Sequence, residues 1–206
     1  MSRRLGVLIS GRGSNLQSII AAIAERRLDA TIAVVVSNRA DAAGLSKAKA
    51  VGIEAIELSP RTFADRDSYD EALAAILSAR NVDLVCLAGY MKIAGPPLLG
   101  AFPDRILNIH PSLLPAFPGL HAQRQAIEYG VAVSGATVHL VGAGLDDGPI
   151  IQQASVPVRS DDTEETLSAR ILVEEHRIYP EAIQLVLDGG WRVSGRRFLR
   201  PRPAGV

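Results

Sequence analysis

The chain has 206 residues, 48% of them apolar and 21% charged, and its 22 Lys plus Arg balance 22 Asp plus Glu. This is the composition of an ordinary globular chain with enough apolar material for a real core, and the zero net charge gives no overall footprint for nucleic acid or an anionic membrane. The single cysteine, Cys86, excludes an intramolecular disulfide framework and a cysteine-rich zinc site, and no apolar stretch reaches transmembrane length.

Taken in chain order, the basic start at Arg3 and Arg4 leads into an apolar run that stops at Ser10-Gly11, too short for a signal peptide. A cytoplasmic location is therefore expected. The run 5–9 predicts a buried strand and 16–24 a helix. Strands follow at 31–36, 53–58 and 84–88, separated by helices at 42–50 and 69–79. Continuous apolar strands between amphipathic helices predict a mostly parallel sheet covered on both faces, a doubly wound α/β fold with a Rossmann-like N-terminal half.

Ser10-Gly11-Arg12-Gly13-Ser14-Asn15 lies between the first strand and the first helix. That is the carboxyl end of a parallel strand, where glycines let backbone approach an anion and a helix N-terminus favours phosphate. The loop lacks the Lys-Ser/Thr of a P-loop and the third glycine of a dinucleotide fingerprint. A phosphate on a small substrate fits it better than NAD or ATP; the plainer alternative is a tight turn before a capped helix.

The second half reads differently. A strand at 106–109 is followed by a proline-rich loop holding Pro111, Pro115 and Pro118, and by a helix near 123–128. Strands at 134–141 and 149–158, joined by a short glycine-rich turn, must pair antiparallel. A helix from 163 to about 187 has Asp162 and Thr163 as possible N-caps, lacks the full capping box, and stops at Gly189-Gly190. The basic stretch 192–202 reads as a solvated tail. One continuous domain, 1–190, is expected, with a phosphate- and nucleotide-substrate-binding half (1–100), a catalytic and co-substrate-binding half (101–190) and a tail (191–206).

Asn108 and His110 alternate with apolar Leu107 and Ile109, so as a strand they share a face. An amide that donates without charge and an imidazole that titrates near neutrality are the parts needed to hold an oxyanion and move a proton. Asp146, in the Leu145-Asp146-Asp147-Gly148-Pro149 turn, could orient that imidazole. Each residue alone is more often an ordinary satisfied polar group. His121 and His139 lie near these motifs and are read as structural.

Six motifs, in order, resemble the phosphoribosylglycinamide formyltransferase family: Gly11 to Asn15, Ser37-Asn38, Leu87 to Met91, Leu107 to Pro115, Phe117 to His121, and Leu145 to Pro149. The resemblance runs from about residue 5 to about residue 185. It implies transfer of the formyl group of 10-formyltetrahydrofolate to the amine of glycinamide ribonucleotide in purine synthesis. Asn108, His110 and Asp146 match the family's catalytic trio. Gly13, Ser14 and Asn15 would hold the substrate phosphate. Glu175, or the adjacent Glu174, would hold its glycinamide or ribose end. Arg66, the segment Met91, Lys92, Ile93 and Ala94, and Asn108 again would contact the folate. No metal is implied, and the family carries a cis bond at the place of Leu114-Pro115. The partners expected are these two small molecules, with neither nucleic acid nor membrane; apolar helix faces could also pair in a homodimer.

Formyltetrahydrofolate deformylase resembles the same core, with water replacing the amine, but adds an N-terminal domain for which no room is expected before Leu5. Methionyl-tRNA formyltransferase adds a C-terminal RNA-binding domain not expected here. A non-catalytic folate- or nucleotide-binding module is the reading from another class, and an intact Asn108, His110 and Asp146 argue against it.

Overall fold

The computed structural model describes residues 3–200. Its first half alternates β1 (Arg4–Ile9), α1 (Ser14–Ala24), β2 (Thr31–Ser37), α2 (Ala43–Ala50), β3 (Ala55–Glu57), α3 (Arg66–Ser78) and β4 (Leu84–Leu87). Then come α4 (Pro96–Ala101), β5 (Ile106–His110), α5 (Ala122–Tyr129), β6 (Val133–Leu140), β7 (Ile150–Pro157), α6 (Glu164–Asp188), β8 (Arg192–Ser194) and β9 (Arg197–Leu199). One nine-stranded sheet runs β3-β2-β1-β4-β5-β6-β7-β9-β8. The strands from β3 to β5 are parallel, whereas β6 pairs antiparallel with both β5 and β7.

Strand alternation decides which helices cover which face. Leu5, Val7 and Ile9 of β1, with Leu107 and Ile109 of β5, pack with Leu16, Ile19, Ile171, Ile178 and Ile183 of α1 and α6. Leu8, Val85 and Ile106 pack on the other face with Leu73 and Leu77 of α3 and Leu98 of α4. The sheet is therefore doubly wound, as its apolar strands predict.

After β3 the chain returns to place β4 on the far side of β1, and this reversal opens a crevice at the carboxyl ends of β1 and β4. Ser10 spans it. Its N–H donates to Gly89 O at 3.1 Å, its hydroxyl donates to Asn38 Oδ1 at 2.6 Å, and that hydroxyl accepts the Met91 N–H at 2.8 Å.

Several expectations change. α3 starts at Arg66 rather than residue 69 because Asp65 caps it in a reciprocal pair with Ser68. The capping box judged incomplete at α6 is complete: Thr163 accepts the Thr166 N–H, and the Thr166 hydroxyl accepts the Thr163 N–H where a Glu would ordinarily serve. α4 was not foreseen. Of the stretch read as a solvated tail, residues 192–199 instead form the β8–β9 hairpin on the edge of β7, held by stacking of Trp191 on Phe198 at 5.0 Å, and residues 201 and 202 lie outside the described residues. The Trp191 indole N–H donates to Val186 O.

Candidate active site

Asn108 and His110 project from β5 on the face away from α6. Antiparallel register places His139 of β6 opposite Asn108 and Thr137 opposite His110. On β6 these polar residues alternate with buried Ala136, Val138 and Leu140. A polar row thus crosses two strands above an apolar underside. The loop after β5 is tied to its end: Thr137 Oγ1 donates to Ser112 O and accepts the Leu114 N–H, and Leu114-Pro115 is cis.

Asp146 comes to this row from the β6–β7 loop, with a left-handed φ of 50° that is uncommon outside glycine. Its Oδ2 accepts the Gly119 N–H at 2.8 Å and lies 3.4 Å from His110 Nδ1; its Oδ1 lies 3.4 Å from Asn108 Nδ2 and 3.6 Å from His139 Nε2. One carboxylate therefore meets the amide, both imidazoles and a backbone amide. Burial pushes the Asp146 carboxyl up, but the neighbouring His139 and His110 imidazoles and the Gly119 N–H together hold it below the usual carboxylate range.

The two imidazoles are held differently. His139 Nδ1 is 2.9 Å from Leu140 O, so it is the protonated nitrogen, and Nε2 can accept from Asn108 Nδ2 at 3.2 Å. His110 Nε2 donates to Phe117 O at 2.9 Å while its Nδ1 faces Asp146, so both ring nitrogens face oxygen acceptors, the arrangement an imidazolium needs. Burial works against that charge and lowers the His110 pKa, opposed by the Phe117 carbonyl and Asp146. The result is a buried histidine whose charged form burial disfavours but whose surroundings are built to receive a second proton.

The glycine loop forms a second group. Gly13 caps α1 at a φ of 69°, and a Cβ there would lie 2.8 Å from Gly44 Cα, so glycine is required twice over. The first α1 bond is Gln17 N–H to Gly13 O, which leaves the amides of residues 14–16 ahead of the helix's own ladder. Lys47 braces the loop through Arg12 O and Gln17 Oε1. Asn15 donates from Nδ2 to Glu175 Oε2 at 2.7 Å. Glu175 is 7% exposed, and burial raises its pKa, the Asn15 hydrogen bond opposing. Among the described residues Asn15 Oδ1 is buried without a partner, an acceptor left for a donor from elsewhere. The neighbouring alternative, Glu174, is engaged by Arg177 at 2.7 Å on the solvent side.

Arg66 and the 91–94 segment form the third group. Arg66 Nη2 donates to Ile93 O at 3.0 Å. A cleft of about 510 Å³ opens here, lined by Phe63, Arg66, Tyr69, Met91, Lys92 and Ile93 among others. Met91 and Ile93 are 61% and 53% exposed, whereas Ala94 is buried in the core with Leu98 and offers only backbone. Ser10 links this segment to the glycine loop.

The sequence-predicted residues thus fall into three groups at the carboxyl edge of the sheet. His139, set aside as structural, belongs to the first. Its signal was the alternation of Thr137 and His139 with apolar neighbours, but the β5–β6 register that brings it to Asn108 is not written locally. His121, by contrast, begins α5 on the surface, 3.8 Å from Glu164. Among the described residues no cluster of three His, Cys, Asp or Glu could hold a metal ion, and no helix is long and apolar enough to cross a membrane.

Comparison with known proteins adds a separate line. The formyl transferase family matches residues 3–183. A phosphoribosylglycinamide formyltransferase from Escherichia coli is 46% identical over 183 residues, covering 89% of this chain and 86% of its own. The crystal structure of glycinamide ribonucleotide transformylase 1 from Symbiobacterium toebii superposes with a TM-score of 0.96 at 57% identity, covering 98% of this chain and 95% of that one. The trifunctional purine biosynthetic protein adenosine-3 of Homo sapiens is 46% identical over 90% of this chain, which spans only 18% of that protein. A formyltetrahydrofolate deformylase from Pseudomonas syringae keeps the fold, with a TM-score of 0.89 and 98% of this chain covered, but at 27% identity and over 67% of its own length.

Proposed function

This chain belongs to the formyl transferase family, among the phosphoribosylglycinamide formyltransferases, and on that premise we propose that it moves the formyl group of 10-formyltetrahydrofolate onto the amine of N1-(5-phospho-D-ribosyl)glycinamide in purine biosynthesis. The observation that carries the reading is Asp146: one carboxylate within 3.6 Å of Asn108, His110 and His139, a relay whose members face one another rather than solvent.

The steps follow from the groups present. The substrate amine attacks the formyl carbon, and the carbonyl oxygen becomes an oxyanion. The Asn108 Nδ2–H, turned from Asp146 Oδ1, and the His110 Nε2–H, turned from the Phe117 carbonyl, meet that oxyanion, where donors fixed in a poorly hydrated site gain most. Asp146 stabilises the imidazolium, which offsets the burial that disfavours its charge. The proton released by the attacking amine passes to the folate nitrogen as the C–N bond breaks, through His110 and Asp146 or a bridging water. The products are the N-formyl amide and tetrahydrofolate, and the proton count balances without a covalent enzyme intermediate.

Binding is divided between the other two groups. Gly13, Ser14 and Asn15 receive the phosphate on backbone amides and the α1 dipole. Glu175 and the unpartnered Asn15 oxygen take the glycinamide and ribose end, where N–H and O–H donors are available to them. Arg66 pairs with a carboxylate of the folate tail. Backbone of Met91 to Ala94, with Asn108, reads the pterin, and backbone contacts tolerate Lys at position 92 as well as Arg. Residues 1–100 form the phosphate- and nucleotide-substrate-binding half and 101–190 the catalytic half of one domain, and the folate, expected on 101–190, is held by both halves through Arg66, Met91 to Ala94 and Asn108. The reading carries a cytoplasmic enzyme of two small-molecule substrates, without nucleic acid or membrane as partner, and a homodimer is testable by light scattering.

The alternative is a deformylase, in which water takes the place of the amine. Loss of 10-formyltetrahydrofolate followed by absorbance, with and without glycinamide ribonucleotide, separates the two. Consumption that requires the amine supports the transferase; equal consumption without it would make the chain a hydrolase.

A further inference from the structure

The cleft beside Arg66 is walled by a charged group that the proposed chemistry does not use. Asp70 lies one turn beyond Arg66 on α3 and is only 3% exposed. Its Oδ2 accepts the Gly95 N–H and stands 4.0 Å from Arg66 Nε. Arg66 in turn holds the Ile93 carbonyl, and the adjacent Tyr69 hydroxyl meets the Tyr90 hydroxyl at 2.8 Å. One face of α3 therefore grips the chain after β4 at Tyr90, Ile93 and Gly95, on both sides of the segment assigned to the pterin.

The fit at Gly95 leaves no slack. A Cβ there would lie 2.5 Å from Asp70 Oδ2 and 3.1 Å from Arg66 Nε. Burying a carboxylate costs stability unless it is hydrogen-bonded and paired. Burial raises the Asp70 pKa, and the Gly95 N–H and the charges of Arg66 and Lys92 oppose it.

We infer that Asp70 is a positioning residue for the formyl donor. By fixing the Gly95 amide and drawing Arg66 back onto the Ile93 carbonyl, it sets both the backbone edge of residues 91–94 and the angle of the guanidinium. The identity of the ligand rests on the function proposed above; the clamp itself rests only on these contacts. Because Asp70 is remote in sequence and bonding from Asn108, His110 and Asp146, its loss should spare the chemical step.

Three variants separate position from mere packing. Asp70→Ala removes the acceptor and the charge, Asp70→Asn keeps an acceptor without charge, and Gly95→Ala keeps the carboxylate but takes its space. Hydrogen exchange of amides 91–95 reads the clamp without reference to activity, and about tenfold faster exchange is expected in Asp70→Ala and Gly95→Ala. In steady state the KM for 10-formyltetrahydrofolate should rise about tenfold in both, with kcat and the KM for glycinamide ribonucleotide within about twofold, and Asp70→Asn should fall between them and wild type. Unchanged exchange and unchanged folate KM would overturn the inference. So would parallel losses in kcat, both KM values and Tm, the signature of a purely structural residue. If Asp70→Ala does not fold, Gly95→Ala and Asp70→Asn decide by the same criteria. A wild-type chain that consumed no formyl donor would sink the functional reading alone, and the clamp would still stand or fall on the exchange data.

Discussion

The two polar groups at the carboxyl edge of the sheet are built on opposite plans. Around Asp146 the polar atoms face one another: amide, two imidazoles, a carboxylate and the Gly119 N–H form one network. Around Asn15 the network is left open: among the described residues Glu175 is its one side-chain partner, and Asn15 Oδ1 is buried and unpaired. A closed network has its donors oriented before the reaction starts, which suits groups that act on charge that exists only in the transition state. An open one has bonding capacity to spare, which suits groups that meet a substrate present from the outset. The first should therefore govern kcat and the second KM.

The largest effect should come from the closed network. His110→Ala and Asp146→Asn should each lower kcat by about a thousandfold with little change in either KM, measured by the absorbance assay. A KM rise as large as the kcat loss would erase the contrast. In the open network, Glu175→Gln and Asn15→Ala should raise the KM for glycinamide ribonucleotide by about tenfold to a hundredfold, with kcat changed less than about fivefold. His139→Ala sharpens the boundary: Asn108 loses the acceptor that orients it, so kcat should fall by about tenfold to a hundredfold with binding retained. A fall no larger than that of an ordinary surface variant would return His139 to a structural role.

The smallest effect is on stability. His110 has its folded pKa lowered below 6.5, so on acidification the unfolded chain binds that proton first. Stability should decline as pH falls from about 6.5 toward the folded pKa, and His110→Gln should flatten that part of a Tm profile. Asp146 acts lower: its depressed folded pKa supplies stability that is complete above the ordinary carboxylate range and disappears as pH falls through the folded value. Asp146→Asn should therefore lower Tm at neutral pH and flatten the acid limb, where that contribution is otherwise lost.

Much of this was legible in the residues. Apolar strands and amphipathic helices carry the doubly wound half, because their periods of two and 3.6 are local properties. The glycine loop and the Asn108–His110 alternation were legible for the same reason. What escaped depends on partners distant in sequence. His139 joins the site only through the β5–β6 register, and Asp70 matters only because α3 packs beside the chain after β4. The β8–β9 hairpin hid behind Arg192, Arg196 and Arg197, whose charges mask the apolar anchors Trp191 and Phe198. The Thr163–Thr166 box was missed because a hydroxyl stands where a longer side chain was sought, and α4 because a six-residue helix opening on Pro96-Pro97 has too few turns to show a period.

The measurement that tests the division most directly is made on Asp146→Asn, a change of charge without change of shape. Its Kd for glycinamide ribonucleotide, taken by calorimetry, is set beside its single-turnover rate of formyl transfer. The account predicts a Kd within about twofold of wild type and a rate lower by about a thousandfold. A rate near wild type, or a Kd weakened by as large a factor as the rate, would contradict it.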